Sequence, residues 1–429
     1  MSVYYIDPVG GKADAAGLTP ADARLSEAGL EIRPGDSVLF RRGVTARRMI
    51  GTVSGEDGAP VTYGAYGEGE KPLFLGSVDV SSPDDWEAVG ENLWRMTRPV
   101  RGDVGNFVFN DNDGATLRWV KEDLHAQGDF WDSRFGCSEK RLEAPEQEVL
   151  LWSEDNPADV YDHIECVPFA DRCLARLKSN IIIEDIAFAN SGVHALPGNG
   201  ENIIVRRCDF RFIGGCVWNY GLRIRFGNAI ELWNIARDVT VEDCSFKAVY
   251  DSCVTHQGNK AAIKPAERFI CRNNLFDTYG MAAFEYRDLL PMESSFTDNI
   301  CLNAGTGFAM YGETLPRKSE IWPQPMGHHI FLWRIDVPTD GGSVEISRNY
   351  FGDAPVGAAI YSIICPEAEA QMTLDNNIYD STNEVLLNRF GGVNYPSFDA
   401  YRDATGQDAN SRCEKTDAAS LVATWESKR

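Results

Sequence analysis

From about residue 180 onward, the chain repeats a short pattern in which apolar and polar residues alternate. Each copy has a few alternating apolar positions, then a polar pair, then a small or amide residue two positions before an aromatic or apolar one. An apolar residue at every second position predicts a strand rather than a helix. The copies are IIIEDIAF (181–188), IIVRRCDF (203–210), VTVEDCSF (239–246), FICRNNLF (269–276), SFTDNICL (295–302), VEISRNYF (344–351) and MTLDNNIY (372–379).

The spacing of these copies indicates a solenoid, in which each repeat packs mainly against its neighbours. Most copies are 22 to 36 residues apart, and one interval is about 50. Stacked copies align an amide position, and Asn side chains at one position can hydrogen-bond up and down such a stack. We therefore predict a parallel β-helix. Its aromatic ladder is Phe188, Phe210, Phe246, Phe276, Cys301, Phe351 and Tyr379, and its amide position holds Ile186, Cys208, Cys244, Asn274, Asn299, Asn349 and Asn377.

These repeats and both ends of the sequence resemble the right-handed parallel β-helix (pectate-lyase-like) superfamily of carbohydrate-active enzymes. The resemblance implies an all-β, single-stranded right-handed parallel β-helix solenoid. Each end of a solenoid exposes unpaired strand edges, so we expect an N-terminal capping helix near 20–28 and a C-terminal capping helix after Ser397. The end segments that carry the resemblance are YYIDP (4–8), IRPGDSVLFRRG (32–43), PVTYGAYGEGEKPLFLGS (60–77) and SFDAYRDATGQDANS (397–411).

One continuous domain is predicted for residues 1–412, because the domain count of a solenoid follows its repeats rather than its length. Residues 85–170 fit the repeat poorly, and we expect them to form irregular early coils with long loops. Regular coils should occupy about 180–392 and a closing cap about 395–412. The remaining residues, 413–429, are expected to form a C-terminal tail.

Composition narrows the class of partner. The formal net charge of −23 argues against nucleic acid, because phosphate binding needs clustered Lys and Arg. The 11 Cys are scattered singly, which favours buried apolar thiols over disulfides or a zinc site. No run of 18 apolar residues occurs and the start lacks a leader pattern, so we expect no membrane partner. The protein is expected to be cytoplasmic as written, or secreted or periplasmic if a leader was removed; its oligomeric state stays unknown.

A further strand follows each repeated phrase, and its outward positions are candidates for chemistry. Strict alternation turns Thr255 and Glu285 outward on adjacent coils, with Asp251 at the corner that enters the first of these strands. In these strands the side chains expected to face the core are Val254, Phe284, Ala309, Ala359 and Leu387.

Three acidic side chains are expected on successive coils: Glu231, Asp251 and Glu285. Glu231 and Trp233 turn outward if Leu232 faces the core. Strands about 4.8 Å apart would bring carboxyls of adjacent coils near the roughly 5–5.5 Å of a retaining glycosidase. A separation of two coils, about 9.6 Å, is near the upper limit for an inverting pair. The sequence leaves both geometries open.

The run RIRFGNAIELW, VYDSCVTHQG and FEYRD resembles a run in carbohydrate-active β-helix proteins that carries an Asp and a Glu on consecutive coils. By this resemblance, Asp251 and Glu285 are the catalytic pair. Any one outward acid alone is more simply interpreted as a solvated side chain, but aromatic and amide neighbours favour function. Expected glycan contacts are Trp233, Trp218 and Tyr220 by stacking, Glu231, His256, Gln257 and Arg287 by polar bonds, and His328, His329 and Arg334 from an excursion at 312–335.

Two of these histidines have an alternative interpretation. Strict alternation would turn His256 inward, and His329 is equally well explained as a packing residue ahead of the apolar run IFLW.

Three functions are compatible with this sequence. The favoured one is a glycoside hydrolase that cleaves a poly- or oligosaccharide with Asp251 and Glu285. The alternative is a polysaccharide lyase, in which His256, Arg287 or a Tyr removes a proton from a uronate; the third is a glycan-binding protein without catalysis. No cofactor and no metal site are predicted. Calcium is expected only if the protein is a lyase, in which case Asp251 and Glu285 would bind it.

Overall fold

Three parallel β-sheets wind around a common apolar core. The computed structural model of the protein describes residues 1–136, 147–169, 173–259, 261–306, 326–380, 388–390 and 393–429. Within these residues the chain forms a right-handed parallel β-helix, and we call its three sheets faces A, B and C in the order in which each coil visits them. The repeated phrases supply faces A and B, and the strand that follows each phrase supplies face C.

The strands of the three faces are as follows. Face A contains Val3–Ile6, Ser37–Arg41, Val61–Tyr66, Ile181–Glu184, Glu267–Arg272, Ser294–Thr297, Val344–Ser347, Met372–Asp375 and the second halves of the long strands Leu196–Arg206 and Ile230–Glu242. Face B contains Thr45–Ala46, Leu73–Leu75, Ala187–Ser191, Asp209–Ile213, Ser245–Val249, Leu275–Tyr279, Ile300–Ala304, Tyr350–Phe351, Ile378–Tyr379 and Arg412–Cys413. Face C contains the first halves of the two long strands, Ser252–Gln257, Ala282–Arg287, His328–Trp333, Ile360–Ile363 and Asn388–Phe390, which pairs antiparallel with Val393–Asn394.

The predicted ladders are confirmed. The aromatic position is in register from Phe188 to Tyr379. In the amide ladder, Asn274 Nδ2 donates to Asn299 Oδ1 at 3.0 Å, Asn299 Nδ2 to Asn349 Oδ1 at 3.1 Å, and Asn349 Nδ2 to Asn377 Oδ1 at 3.1 Å. Every Asn of this ladder is buried, so these hydrogen bonds pair side-chain amides that water does not reach.

The expected core positions of face C are also found where they can be described. Val254 and Phe284 are buried register partners. In the coil of Ile360–Ile363, Ala359 and Ile360 both belong to the core, because the chain bends as it enters this face. Ala309 and Leu387 lie outside the described residues.

The N-terminal capping helix predicted near 20–28 is wrong. A single 3-10 turn, Pro20–Asp22, occupies its start, and Thr19 makes no side-chain capping bond. The chain becomes extended at Ala23, and the backbone of Arg24 bonds to Tyr5 and Asp7 beside the first strand of face A. Backbone groups that pair with a strand edge are not available to a helix.

The prediction that residues 85–170 form early coils is also wrong. Val61–Tyr66 pairs directly with Ile181–Glu184. The β-helix therefore continues from one of these strands to the other, and the stretch between them does not form coils of its own. Residues 78–168, which we call the inserted region, fold into two mainly antiparallel sheets with a separate apolar core. Their strands are Val78–Asp79, Trp86–Gly90, Leu93–Met96, Val104–Phe109, Asp113–Gly114, Thr116–Leu117, Asp129–Asp132, Val149–Trp152 and Ile164–Pro168, with the helix Pro157–Val160 and the 3-10 turns Pro83–Asp85, Lys121–Asp123 and Ser133–Gly136.

The C-terminal end carries the expected helix and one more. Phe398–Thr405 is a helix whose N-cap, Ser397, accepts from the backbone N–H of Ala400 at 3.2 Å. The segment predicted as a tail contains the helix Ala418–Glu426, and its Trp425 packs against face B at Leu275. The remaining helix is Pro366–Glu369. Among the helices that the structure describes, none has the length and apolar character needed to cross a membrane.

Candidate active site

Face C carries an outward column of polar side chains. Glu231 is in register with Thr255, and Thr255 with Glu285, on three consecutive coils. The column continues through Phe331 and Tyr361. This is the register expected from strict alternation. Both glutamates are nevertheless buried, each about 1% exposed, so they are not the solvated side chains of an open sheet face.

Glu285 is a buried carboxyl held by neutral donors. Trp333 Nε1 donates to its Oε1 at 2.5 Å, and Ser252 Oγ donates to its Oε2 at 3.3 Å. The nearest cation is Arg287, with Nη1 3.8 Å from Oε1. Burial raises the pKa of Glu285 above its ordinary value, and the charge of Asp251 adds to this effect, whereas Arg287 and Trp333 oppose it. Such a group keeps its proton at a higher pH than a solvated carboxyl does.

Asp251 lies at the corner between the face B and face C strands of its coil, as predicted. Its backbone is fixed on both sides, because its N–H donates to Gly227 O at 3.2 Å and its carbonyl accepts from Met281 N at 3.1 Å. The side chain is half-buried, and its charge reaches Glu285 on the next coil. Two carboxyls in different environments therefore share one region of the surface.

Glu231 has a different environment from Glu285. His194 Nδ1 lies 2.5 Å from Glu231 Oε2, and Gln257 Nε2 donates to Glu231 Oε1. Burial raises the pKa of Glu231, but the charge and hydrogen bond of His194, with hydrogen bonds from Asn228 and Gln257, outweigh burial and leave it below its ordinary value. The pKa of Glu231 is thus lowered, whereas the pKa of Glu285 is raised.

Exposed aromatic rings border this column. Trp233 is exposed on the face C strand beside Glu231, and Trp218 is exposed on the hairpin formed by Val217–Asn219 and Ile224–Arg225. The Arg287 guanidinium lies 4.7 Å above the ring of Trp333. Arg334 lies near the same ring, at 5.6 Å, and its Nε is 3.1 Å from Asp288 Oδ1. Of the predicted stacking residues, Trp233 and Trp218 therefore remain accessible.

Two predicted contacts belong to the scaffold instead. His256 is buried in the inward column between Leu232 and Tyr286, and burial lowers its pKa to about 4. Tyr220 is buried against the inserted region, where its hydroxyl donates to Asp103 Oδ1 at 2.8 Å. Neither side chain is placed to contact a ligand in the site.

The paired histidines of the excursion are also buried. His328 is stacked on Tyr361 with ring centroids 4.5 Å apart, and its Nδ1 accepts from Ala358 N at 2.9 Å. His329 turns toward the core, where it contacts Tyr279 and Phe351, and burial lowers its pKa to about 4. Both rings therefore pack within the coil.

Sequence reasoning missed His194 and Trp333. His194 stands two positions before Leu196, as Asn228 stands before Ile230 and Ser252 before Val254, so its coil position was a usable signal. Trp333 was missed because GFAMYG (307–312) was expected to supply the face C strand. That segment lies outside the described residues, and His328–Trp333 pairs with Ala282–Arg287.

The column and the adjacent corner offer one carboxyl whose pKa is raised, two further carboxyl groups and several hydrogen-bond donors. These groups can perform acid–base and nucleophilic chemistry. Within the described ranges, no group of three or more His, Cys, Asp or Glu side chains is arranged to hold a metal ion.

Known structures share this architecture. The complex of XylC with xylose matches with a TM-score of 0.53 and 15% identity, over 88% of this chain and 62% of that chain. A structure described as a glycoside hydrolase matches with a TM-score of 0.46 and 10% identity, over 89% and 92% of the two chains. Pectate lyase Pel9A matches with a TM-score of 0.39 and 12% identity, over 97% and 78%.

This chain thus spans less than two thirds of the XylC chain. No protein-family model matches the sequence, and no curated protein sequence does. The coil geometry and the likeness to the XylC structure show the fold of a right-handed parallel β-helix.

Proposed function

We propose that the protein is a carbohydrate-active enzyme, and specifically a glycoside hydrolase that uses Asp251 and Glu285. The observation that carries this proposal is the buried Glu285, whose pKa is raised by burial and by Asp251 on the adjacent coil. Glycoside cleavage requires one carboxyl that holds its proton and a second that is ionised. Burial favours the protonated form of Glu285, and Asp251, which is only partly buried, is proposed as the second carboxyl.

In this mechanism Glu285 is the general acid and Asp251 the nucleophile. Asp251 attacks the anomeric carbon while Glu285 gives its proton to the departing oxygen, which leaves a glycosyl–enzyme ester and a free alcohol. Glu285 then takes a proton from water as that water attacks the anomeric carbon and releases Asp251. Adjacent coils, about 4.8 Å apart, favour this double displacement, so retention of anomeric configuration is expected.

The surrounding side chains would bind the sugar. Trp233 and Trp218 offer exposed rings for the apolar face of a pyranose, and Arg287 is partly exposed beside Glu285. Glu231 and Gln257 offer hydrogen-bond groups on the coils before Glu285. The proposed substrate is a poly- or oligosaccharide.

The lyase alternative has less support. Its first candidate base, His256, faces the core. Arg287, the second, is engaged by two carboxyl groups, because it lies 3.8 Å from Glu285 Oε1 and 3.5 Å from Asp288 Oδ2. A base must be able to release and accept a proton near the working pH.

The test is hydrolysis of a panel of neutral and acidic polysaccharides and aryl glycosides by the wild type, D251N and E285Q. We expect products heavier by one water, a loss of about 10²–10⁴-fold in kcat for E285Q, and a still larger loss for D251N. E242Q, at the end of a face A strand, and D243N, at the turn after it, are the matched controls and should keep wild-type activity.

The anomer formed first, read by proton NMR, tests the pairing. Retention supports Asp251 with Glu285, whereas inversion would assign the base to a group two coils away, such as Glu231. An unsaturated product without added water would establish the lyase, and binding without turnover would establish a glycan-binding protein.

A further inference from the structure

A histidine–carboxylate pair lies two coils from Glu285. His194 Nδ1 is 2.5 Å from Glu231 Oε2 and 3.1 Å from the backbone N of Asn228. The backbone N–H cannot donate to a nitrogen that already carries a proton. The shorter contact to a carboxylate is the stronger bond, so we assign the Nδ1 proton to the His194–Glu231 contact.

This pair keeps a buried carboxylate ionised. Glu231 is about 1% exposed, and its other oxygen accepts from Gln257. Among the described residues, His194 is the titratable group that contacts Glu231 and the largest cause lowering its pKa, and the ring of Phe226 packs edge-on against His194 at 5.3 Å between centroids. Without His194, burial would dominate and Glu231 would take up a proton at a higher pH.

We propose that His194 is a positioning residue, which aims the Glu231 carboxylate along the outward column to accept a hydroxyl of the sugar bound beside Asp251 and Glu285. The inference rests on the function proposed above. Glu231, Thr255 and Glu285 are in register on three consecutive coils, which places both glutamates on the same outward column. An ionised carboxylate is a stronger acceptor for a sugar hydroxyl than a protonated one.

Kinetics on the best substrate of the panel test this role. H194F removes the donor and the charge, H194Q keeps a donor without the charge, and E231Q removes the carboxylate. We expect H194F to raise KM about tenfold with a smaller change in kcat. The KM of H194Q should lie between those of H194F and the wild type. The double variant H194F/E231Q should be no worse than E231Q, because both changes remove one interaction.

The matched control is H163Q. His163 Nε2 lies 3.0 Å from Glu165 Oε1 in the inserted region, which gives a similar pair outside the site. H163Q should keep the wild-type KM. A wild-type KM in H194F, or losses that multiply in the double variant, would overturn the proposal.

A second readout does not require turnover. In the wild type, ionised Glu231 stabilises the fold above the ordinary carboxyl pKa of about 4.3, and this stabilisation is lost as the pH falls through its lowered pKa. In H194F burial should raise that pKa, so the Tm gap between wild type and H194F is widest at neutral pH and closes as the pH falls through the lowered pKa of Glu231. A gap that is constant with pH would reduce His194 to a packing residue.

Failure of the proposed function is distinguishable from failure of this inference. A wild-type protein that hydrolyses no glycan would contradict the hydrolase. The inference would then require both a pH-dependent Tm gap and weaker binding of an oligosaccharide of the panel to H194F, measured by calorimetry. Absence of either one would refute it.

Discussion

Glu231 and Glu285 are equally buried residues of one column, yet their pKa values are displaced in opposite directions. Burial alone would raise both. At Glu231 the charge and hydrogen bond of His194, with those from Asn228 and Gln257, outweigh burial, whereas at Glu285 burial, with a smaller addition from Asp251, outweighs the charge of Arg287 and the hydrogen bond of Trp333. Two carboxyls on one sheet face can thus have pKa values displaced in opposite directions when their polar neighbours differ.

Trp333→Phe should raise the pKa of Glu285 further. The indole Nε1 donates to Glu285 Oε1 at 2.5 Å and opposes the effect of burial. If Glu285 is the general acid, the basic limb of the pH dependence of kcat/KM moves to higher pH in W333F. W425F is the control, since it removes an indole donor to Asn273 O on the other side of the solenoid. A basic limb that stays in place or moves down would contradict the assignment.

Strand alternation was sufficient to predict which residues of face C point outward, including Glu231, Thr255 and Glu285. It could not identify partners that are distant in sequence. Tyr220 was expected to stack on sugar, but it donates to Asp103, which is 117 residues earlier in the chain. His194 was missed for the same reason, because its role depends on Glu231 of the next coil.

At the scale of elements, the amide ladder connects the coils through groups that no water reaches. Asn299 makes four such bonds, because its Nδ2 donates to Cys271 O and Asn349 Oδ1 and its Oδ1 accepts from the backbone N and the Nδ2 of Asn274. Any other side chain of similar size would leave some of these groups unpaired. The ladder therefore helps to fix the register of neighbouring coils.

Asn299→Ala should lower the free energy of unfolding by about 3 kcal/mol, because it leaves buried donors and acceptors without partners. Urea denaturation measures the change. N112A, which removes an exposed amide bonded only to Asn110 O within its own turn, is the control and should stay within about 0.5 kcal/mol of the wild type. Equal losses in the two variants would show that the ladder has no special role.

The bounds of strands were predictable where the repeat is regular. They were not predictable where two segments of the sequence could each form the same strand of a coil. GFAMYG and HHIFLW both alternate, and pairing with Ala282–Arg287 assigns the second of them to face C. The segment near 20–28 has a proline start typical of a helix, yet it pairs with the first strand. The local pattern of apolar and polar residues does not reveal which segments pair with each other.

At the scale of the molecule, the inserted region adjoins the candidate site. Asp103 accepts from Tyr220 Oη and from Val217 N, both at 2.8 Å, and these residues belong to the hairpin that carries Trp218. Arg225 of the same hairpin donates to Gly105 O at 2.6 Å and lies 4.4 Å above the ring of Tyr250, the residue before Asp251. The inserted region thus braces one side of the site. The sequence showed only that 85–170 depart from the repeat.

The stability of this region should depend on pH through Asp132. This carboxyl accepts from Val104 N and Arg134 N, both at 2.9 Å, and burial, with a smaller contribution from Asp103, raises its pKa to about 7. Because its ordinary value is 3.8, the folded state binds more protons than the unfolded state between about pH 4 and 7, so stability falls as the pH rises through this window. D132N should remove this dependence and exceed the wild type by up to about 4 kcal/mol at pH 8, with little difference at pH 4.

Chemical denaturation from pH 4 to 8 checks this expectation. D155N, at an exposed position of the same region, is the control and should follow the wild-type curve. Parallel curves for D132N and the wild type would mean that Asp132 is ionised in the folded state throughout. In that case the three groups that donate to Asp132, on Val104, Arg134 and Gln147, would have to stabilise the anion more than burial and the charge of Asp103 destabilise it.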